Sequence, residues 1–380
     1  MRQRLALITE TFPPEVNGVA MTLNRLSKQL VDRDIDLQVI HPKSRAKHEW
    51  GLNGGWETVE VFGFPIPGYP EAQVGMPSRR RLRLLWKEKR PDLVHVATEG
   101  ALGWTAGKAA RDLDIPLITS FHTNFHEYTK HYHIGWLKRF VCSYLRSFHS
   151  MARANLVPDP DLITELLDLG FKNCRYFGRG VDTTLFSPQR RDPKLREEWG
   201  ADEDTLVCII VSRVAAEKNI RLVLESFREL KKKRGSTKMV VVGDGPERKS
   251  LEKAYPEVIF TGMKFDEELG RHYASADLFA FASETETFGN VILEAMASGL
   301  AVIAYDYAAG KQYVENQIDG ILIKFGDRAE FTTGLLELAG NLDMIKTLQV
   351  NAREKAKTIP WNEVVDSYLE TIKVVLAKDS

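Results

Sequence analysis

Cysteine is scarce in this chain: among 380 residues only Cys142, Cys174 and Cys208 occur, far apart and in no metal-ligand spacing. An odd, scattered set excludes a disulfide framework and fits a reducing cytoplasm. Charge of one sign is not in excess either, with 52 Lys plus Arg against 52 Asp plus Glu. No global basic field therefore points to nucleic acid. Long apolar runs are also missing. The amino-terminal "MRQRLALITETFPPE" holds too short an apolar stretch for an export signal and reads as a first strand, and no run approaches bilayer-spanning length. With 43% hydrophobic and 27% charged residues, the composition is that of a globular protein, and its length predicts two domains.

What is present is a rhythm. Short apolar runs such as "LALIT", "DLQVIHP", "DLVHVAT" and "PLITSFHT" alternate with amphipathic helical stretches, the pattern of an α/β domain with a parallel sheet. The rhythm restarts near residue 205 with "TLVCIIVSR", "TKMVVVGDG", "EVIFTG", "DLFAFAS" and "AVIAYD". Between the halves lies "CRYFGRGVDTTLFSPQRRDPK", rich in turn residues and charge, which reads as the crossover. The expectation is two doubly wound, Rossmann-like domains, residues 1–184 and 185–358, with a last helix over 359–380. Sheets of this kind bind ligands in loops at the carboxyl ends of their strands.

Four such loops carry candidate groups. After the first strand, Asn17 and Gly18 open a helix; a glycine there lets a ligand approach the backbone, although Asn-Gly is equally a plain turn and cap. After "VCIIV", Arg213 and Lys218 leave the strand together and can clamp a diphosphate, or can be solvated surface cations. Gly243 and Gly245 flank an Asp after "VVV", which reads as a phosphate-side or base-side loop or as an ordinary Asp-Gly turn. The fourth loop, "SETETFGNVILEAMASG", raises the sharpest question, because Glu294 stands among Leu293, Ala295, Met296 and Ala297. Burying a lone carboxylate costs several kcal/mol or more, so it is paired or used. Gly289 and Asn290 start its helix, whose amides can meet phosphate, and a carboxylate can accept from both hydroxyls of a ribose.

Taken together, "SFHT", "GRGVDTTLFSP", "SRVAAEKN", "GDGPERKSLE" and "ETFGNVILEAMASG", with Glu286 and Glu294 seven residues apart in the last, resemble the retaining glycosyltransferases of family 4, two-domain enzymes of the GT-B fold. The likeness runs along nearly the whole chain and is greatest to lipid mannosyltransferases and to sulfoquinovosyl or glucosyl diacylglycerol synthases. It implies two domains around a central cleft, the last helix crossing back to the first domain, and transfer of a mannose- or glucose-type hexose from a GDP- or UDP-sugar. The implied acceptor is a hydroxyl of a lipid or glycan. Arg213 and Lys218 match the pair that holds the donor diphosphate, with Gly18 adding an amide. Glu294 matches the ribose-binding glutamate, Glu286 the one beside the donor sugar, and His122 the histidine that reaches that sugar. The family needs no cofactor and no bound metal. Retention without an enzymatic nucleophile implies same-face displacement; a double displacement would leave Glu286 as the nucleophile.

Other stretches bear on partners. The histidine-rich "FHTNFHEYTKHYHIGW" contains His126, His131 and His133, but its His-Glu-x-x-x-His order misses the metalloprotease spacing by one residue. "SRRRLRLLWKEKR" and the helix "WLKRFVCSYLRSFH" combine cations with aromatics and fit peripheral contact with an anionic membrane on its cytoplasmic face; the second also fits a core-facing stripe through Trp136, Phe140, Tyr144 and Phe148. The rival readings are a nucleotide-sugar epimerase of the same fold, a glycosyltransferase acting on a soluble or polysaccharide acceptor, and a non-catalytic sugar-binding protein.

Overall fold

The central strands of this chain are apolar on both faces, which commits them to sheets covered on both sides. In the computed structural model, which describes residues 2–44, 51, 54–66, 69–122, 135–286 and 289–377, the chain divides into two compact units. Unit 1 comprises Met1–Gly178 with Asn362–Ser380, and unit 2 comprises Arg179–Trp361. The breaks fall at 178 and 361, against 184 and 358 expected from the turn-rich stretches.

Unit 1 is built on β1 (Arg4–Ile8), β2 (Asp36–Pro42), β3 (Glu57–Val61), a separate two-stranded ribbon of β4 (Gly63–Ile66) and β5 (Tyr69–Gly75), then β6 (Leu93–Val96), β7 (Leu117–Ser120), β8 (Ala154–Val157) and β9 (Cys174–Tyr176). Its parallel sheet has the order β3-β2-β1-β6-β7-β8-β9. The connecting helices are α1 (Gly18–Asp32), α2 (Arg79–Glu88), α3 (Ala101–Asp112), α4 (Gly135–His149) and α5 (Pro160–Asp168). Asn17 caps α1, its Oδ1 accepting from Val19 N at 3.1 Å and Ala20 N at 2.9 Å.

Unit 2 continues with α6 (Pro193–Glu198), β10 (Leu206–Val211), α7 (Ile220–Lys233), β11 (Thr237–Val242), α8 (Arg248–Ala254), β12 (Ile259–Gly262), α9 (Asp266–Ala274), β13 (Leu278–Phe281), α10 (Asn290–Ala297) and β14 (Ala301–Tyr305). It ends with α11 (Ala309–Tyr313), β15 (Ile321–Ile323), α12 (Arg328–Gly340) and α13 (Leu342–Lys357). The parallel order is β12-β11-β10-β13-β14-β15. All six residues of β10, "LVCIIV", are buried. Among them Cys208 has its thiol pushed up to about 12 by burial, which makes it inert packing.

The last helix, α14 (Trp361–Ala377), lies almost wholly in unit 1. Tyr368, 1% exposed, donates to or accepts from His95 Nδ1 at 3.0 Å, while His95 Nε2 pairs with Ser120 Oγ at 3.0 Å. Arg153 Nη1 adds a bond to the Val375 carbonyl at 3.3 Å. A helix that returns from the far end of the chain is thus clasped through a buried histidine to β6 and β7. His149, at the end of α4, is buried similarly, stacked on Phe121 with centroids 3.8 Å apart and paired with Thr119 Oγ1 at 2.7 Å. The aromatic stripe expected on α4 is only partly inward: Phe148 is fully buried and Tyr144 stacks on Trp104 at 5.0 Å, but Phe140 is 67% exposed. The side chains of Trp136 and Lys138 lie outside the described residues.

Burial pushes both His95 and His149 down to about 3, so each ring is neutral in the folded unit. Because the folded value lies below that of the unfolded chain, stability is complete above about pH 6.5 and is lost as pH falls toward 3. Urea unfolding followed at pH 7.5 and at about pH 5 should show a loss of about 2 kcal/mol per ring. His95→Gln should remove about half of that loss.

Candidate functional site

In a doubly wound sheet a crevice opens where the strand order reverses, because neighbouring loops there depart to opposite faces. In unit 2 the reversal lies between β10 and β13, which pair through Cys208–Leu278 and Ile209–Phe279. The loop after β10 carries Arg213 and Lys218; the loop after β13 carries Glu284, Glu286, Gly289 and Asn290 and runs into α10 with Glu294. Six of the expected groups, Arg213, Lys218, Glu286, Gly289, Asn290 and Glu294, thus follow the two strands that flank the switch point.

Those loops are tied by charge. Lys218 Nζ donates to Glu286 Oε1 and to the Thr285 carbonyl at 2.9 Å. The side chains of this pair are 17% and 15% exposed, so it is largely desolvated, and removing either partner would strand the other. Glu286 also accepts from Gly289 N at 3.2 Å through its other oxygen, bridging the lysine and the start of α10. Arg213 pairs with Glu217 one helical turn on, in a more exposed setting worth little to stability. Glu284, for which the sequence suggested no role, accepts from Asn219 Nδ2 at 3.2 Å and donates its amide to the Glu217 carbonyl at 3.0 Å. Asn219, in the left-handed region at φ 50°, also accepts from Arg328 at 3.3 Å.

Glu294 is 4% exposed, and Tyr273 donates its hydroxyl to Oε2 at 3.2 Å. The buried carboxylate therefore has a neutral phenol from α9 as one partner. Gly289 caps α10 in a left-handed conformation, φ 50°, with a Cβ excluded by Ala309 Cβ at 2.5 Å. Asn290 follows as the first helical residue.

Gly243 and Gly245 have a local reason to be glycine. A Cβ on Gly243 would stand 1.9 Å from the Ser212 carbonyl oxygen, and one on Gly245 would stand 2.4 Å from that of Val214. The loops after β10 and β11 lie backbone against backbone here, with Val214 N donating to the Asp244 carbonyl at 2.8 Å and Glu247 N to the Val214 carbonyl at 3.0 Å. The Arg213 loop is thereby shaped by the glycines of its neighbour.

In unit 1, Gly18 opens α1 with nothing within 4 Å of where a Cβ would stand. His122 follows β7 and is 2% exposed. His126, His131 and His133 lie outside the described residues, and no cluster of metal-ligating side chains occurs among the described ones. One further group escaped the sequence reading. Glu10, just after β1, accepts from Leu102 N at 3.0 Å and from Gly75 N, and a Cβ on Gly100 would fall 2.2 Å from its Oε1. Burial raises its carboxyl above the ordinary value, against the pull of the amides of Gly75, Leu102 and Gly103. Its sequence signal, an acid in "TET", is indistinguishable from a surface residue. Only the fold shows it capping α3 and fastening the end of the ribbon.

Comparison with known proteins agrees with this architecture. The family described as Glycosyltransferase Family 4 matches residues 16–234, and that described as Glycosyl transferases group 1 matches 205–341. A GDP-mannose-dependent alpha-mannosyltransferase of Corynebacterium glutamicum is 31% identical over 98% of this chain and 89% of its own length. A sulfoquinovosyl transferase of Arabidopsis thaliana is 28% identical over 94% of this chain and 71% of its own. Among solved structures, that of the Anabaena protein HepE with UDP and glucose superposes with a TM-score of 0.79 at 19% identity, covering 98% of this chain and all of the other, which shows the fold.

Two glycine substitutions separate scaffold from site. Gly243→Ala drives a methyl into the Ser212 carbonyl and should destabilise unit 2 by more than about 3 kcal/mol in thermal unfolding. Gly18→Ala meets open space and should leave the melting temperature within about 2 °C of the parent.

Proposed function

The chain belongs to glycosyltransferase family 4, and from that premise we propose that it transfers mannose from GDP-mannose, with retention and without a metal, to a hydroxyl of a lipid. That it is a retaining hexosyltransferase using a nucleotide sugar follows from its family. The choice of donor is supported by the relatives of Corynebacterium and Mycobacterium, which are GDP-mannose-dependent mannosyltransferases. A lipid acceptor is supported by the alpha-monoglucosyldiacylglycerol synthase of Streptococcus pneumoniae, 28% identical over 83% of this chain.

The observation that carries the reading is the charge cluster at the unit 2 switch point. A departing nucleoside diphosphate brings about two negative charges, and Arg213, Lys218 and the amides that open α10 supply positive potential without a cation. Lys218 and Arg213 now rest on Glu286 and Glu217; the diphosphate takes the cations over, and Glu286, released from Lys218, turns to the hydroxyls of the sugar. Glu294, held by Tyr273, accepts from the ribose. Gly243 keeps the loop beside the base in shape, while Gly289 and Asn290 present the helix start. Gly18 and His122 keep the roles implied by the family, an amide for the diphosphate and a polar contact to the donor sugar. Glu286 is the candidate nucleophile for a double displacement, and same-face displacement is preferred to it, the leaving phosphate accepting the acceptor's proton.

A lipid acceptor entails peripheral contact with a membrane. Among the described residues no helix is long and apolar enough to cross one. The epimerase alternative would release no nucleotide into solution.

Steady-state kinetics test the division of labour. Glu294→Ala should raise the donor KM by about tenfold or more at near-constant kcat, whereas Glu286→Ala should lower kcat by about a hundredfold. If both variants lose only donor affinity, the assignment of Glu286 to the sugar is wrong. GDP release should require the lipid acceptor and persist in EDTA; release from GDP-mannose that ignores the acceptor, or its abolition by EDTA, would contradict the reaction or its metal independence.

A further inference from the structure

Residues 217–219, after β10, and residues 284–286, after β13, run side by side and are joined by three residues of each. Glu284 N donates to the Glu217 carbonyl at 3.0 Å, Lys218 Nζ donates to the Thr285 carbonyl at 2.9 Å and to Glu286, and Asn219 Nδ2 donates to Glu284 Oε1 at 3.2 Å. The proposed reaction opens part of this seam. When a diphosphate takes Lys218, the lysine leaves Glu286, and the ion pair that joined the two loops at rest is gone. The register of the loops then rests on the links that the ligand does not touch.

Asn219 is built to supply such a link. Its backbone is left-handed, φ 50° and ψ 35°, at the junction between the one-turn helix Ala216–Lys218 and α7. Its N–H donates to the Ala216 carbonyl at 3.0 Å and its carbonyl accepts from Leu222 N at 3.1 Å, so the turn is complete without the side chain. Glycine would adopt this conformation at less cost, and what asparagine adds is the amide. The residue is 7% exposed, and its amide lies between opposite charges. Oδ1 accepts from Arg328 Nη1 at 3.3 Å, while Nδ2 faces the Glu284 carboxylate. Turned over, the amide would set its oxygen against the carboxylate and its NH2 against the guanidinium, so the two charges fix one orientation. Arg328 in turn pairs with Glu225 of α7 at 3.4 Å, which anchors the cation to the helix that Asn219 opens.

We infer that Asn219 is a positioning residue for donor binding: anchored by Arg328, its amide latches the Lys218 loop to Glu284, so that Lys218 keeps its place beside the β13 loop after the diphosphate has taken it from Glu286. The inference deepens the donor reading of this site and rests on it. It also gives a task to Glu284, a carboxylate that by charge alone opposes a nucleoside diphosphate. Through the latch the acid favours the anion, because it holds the loop whose lysine receives it.

Isothermal titration of the full chain with GDP and with UDP, well below the melting temperature, tests it. The parent should bind a nucleoside diphosphate, and the variants are compared on whichever of the two it binds more tightly. Asn219→Gly keeps the left-handed turn and removes the amide; it should melt within about 3 °C of the parent and bind the nucleotide about fivefold more weakly, the effect of one hydrogen bond. Glu284→Ala should weaken binding by a similar factor, whereas simple removal of a negative charge beside the diphosphate would tighten it. Glu284→Gln drops the charge but keeps an acceptor oxygen for Asn219, and should bind more tightly than Glu284→Ala. The double variant Asn219→Gly/Glu284→Ala should be no weaker than either single one, because both remove the same contact. An Asn219→Gly protein that binds like the parent, a Glu284→Ala protein that binds more tightly than the parent, or additive losses in the double variant would each overturn the latch alone. A parent that binds neither nucleotide overturns the donor reading beneath it, and the latch with it.

Discussion

Unit 2 depends on one topological constraint: the chain leaves β10 toward one edge of the sheet and returns through β13 on the other side. Two loops that are about seventy residues apart in sequence are thereby made neighbours, and the Lys218–Glu286 ion pair bridges them in a setting with little solvent. Much of the candidate site follows from that meeting. Glu286 can serve the lysine and the Gly289 amide at once because the α10 start lies beside the end of β10. Glu294 is carried one turn into α10, where a neutral phenol from α9 donates to its Oε2. Lys218 and Arg213 each already hold a carboxylate; in the proposed reaction a diphosphate exchanges with these carboxylates, and Glu286 is freed for the sugar.

The sequence made the scaffold legible because parallel strands buried on both faces leave an unmistakable trace: short apolar runs ending in Gly, Ser or Asp. β10 and β11, "LVCIIV" and "TKMVVV", could hardly be anything else. It also made Arg213, Lys218, Glu286 and Glu294 conspicuous, since charge at strand ends and a carboxylate in an apolar helix both demand explanation. Their partners were another matter. Glu217 and Asn219 look like ordinary surface residues until the reversal brings the β13 loop against them. Tyr273 reads as a core aromatic until its hydroxyl is seen to face Glu294. Glu10 is hidden for the same reason, because its three elements, β1, β5 and α3, meet only in space.

Gly243 shows a different limit. A ligand-binding glycine and a glycine that lets two loops touch have the same sequence signature, and here the Ser212 carbonyl accounts for it without a ligand. The two explanations are compatible, since the loop shaped by that contact is the one bearing Arg213. The ribbon was invisible for a converse reason: "VFGFPIPGYPEAQVGM" alternates like a half-buried strand, and only the Gly63/Gly75 pairing shows that the buried face is the glycine face and that the phenylalanines point outward.

The central claim is that the cations at the β10 end, now neutralised by Glu217 and Glu286, receive a nucleoside diphosphate. Thermal unfolding of the parent and of an Arg213→Ala/Lys218→Ala variant, each with GDP and with UDP, tests it most directly, because a ligand that binds only the folded state raises the melting temperature. The account predicts a rise of several degrees with GDP in the parent, a smaller one with UDP, and none with either in the variant. A variant that keeps the parental shift, or a parent that neither nucleotide stabilises, would contradict it.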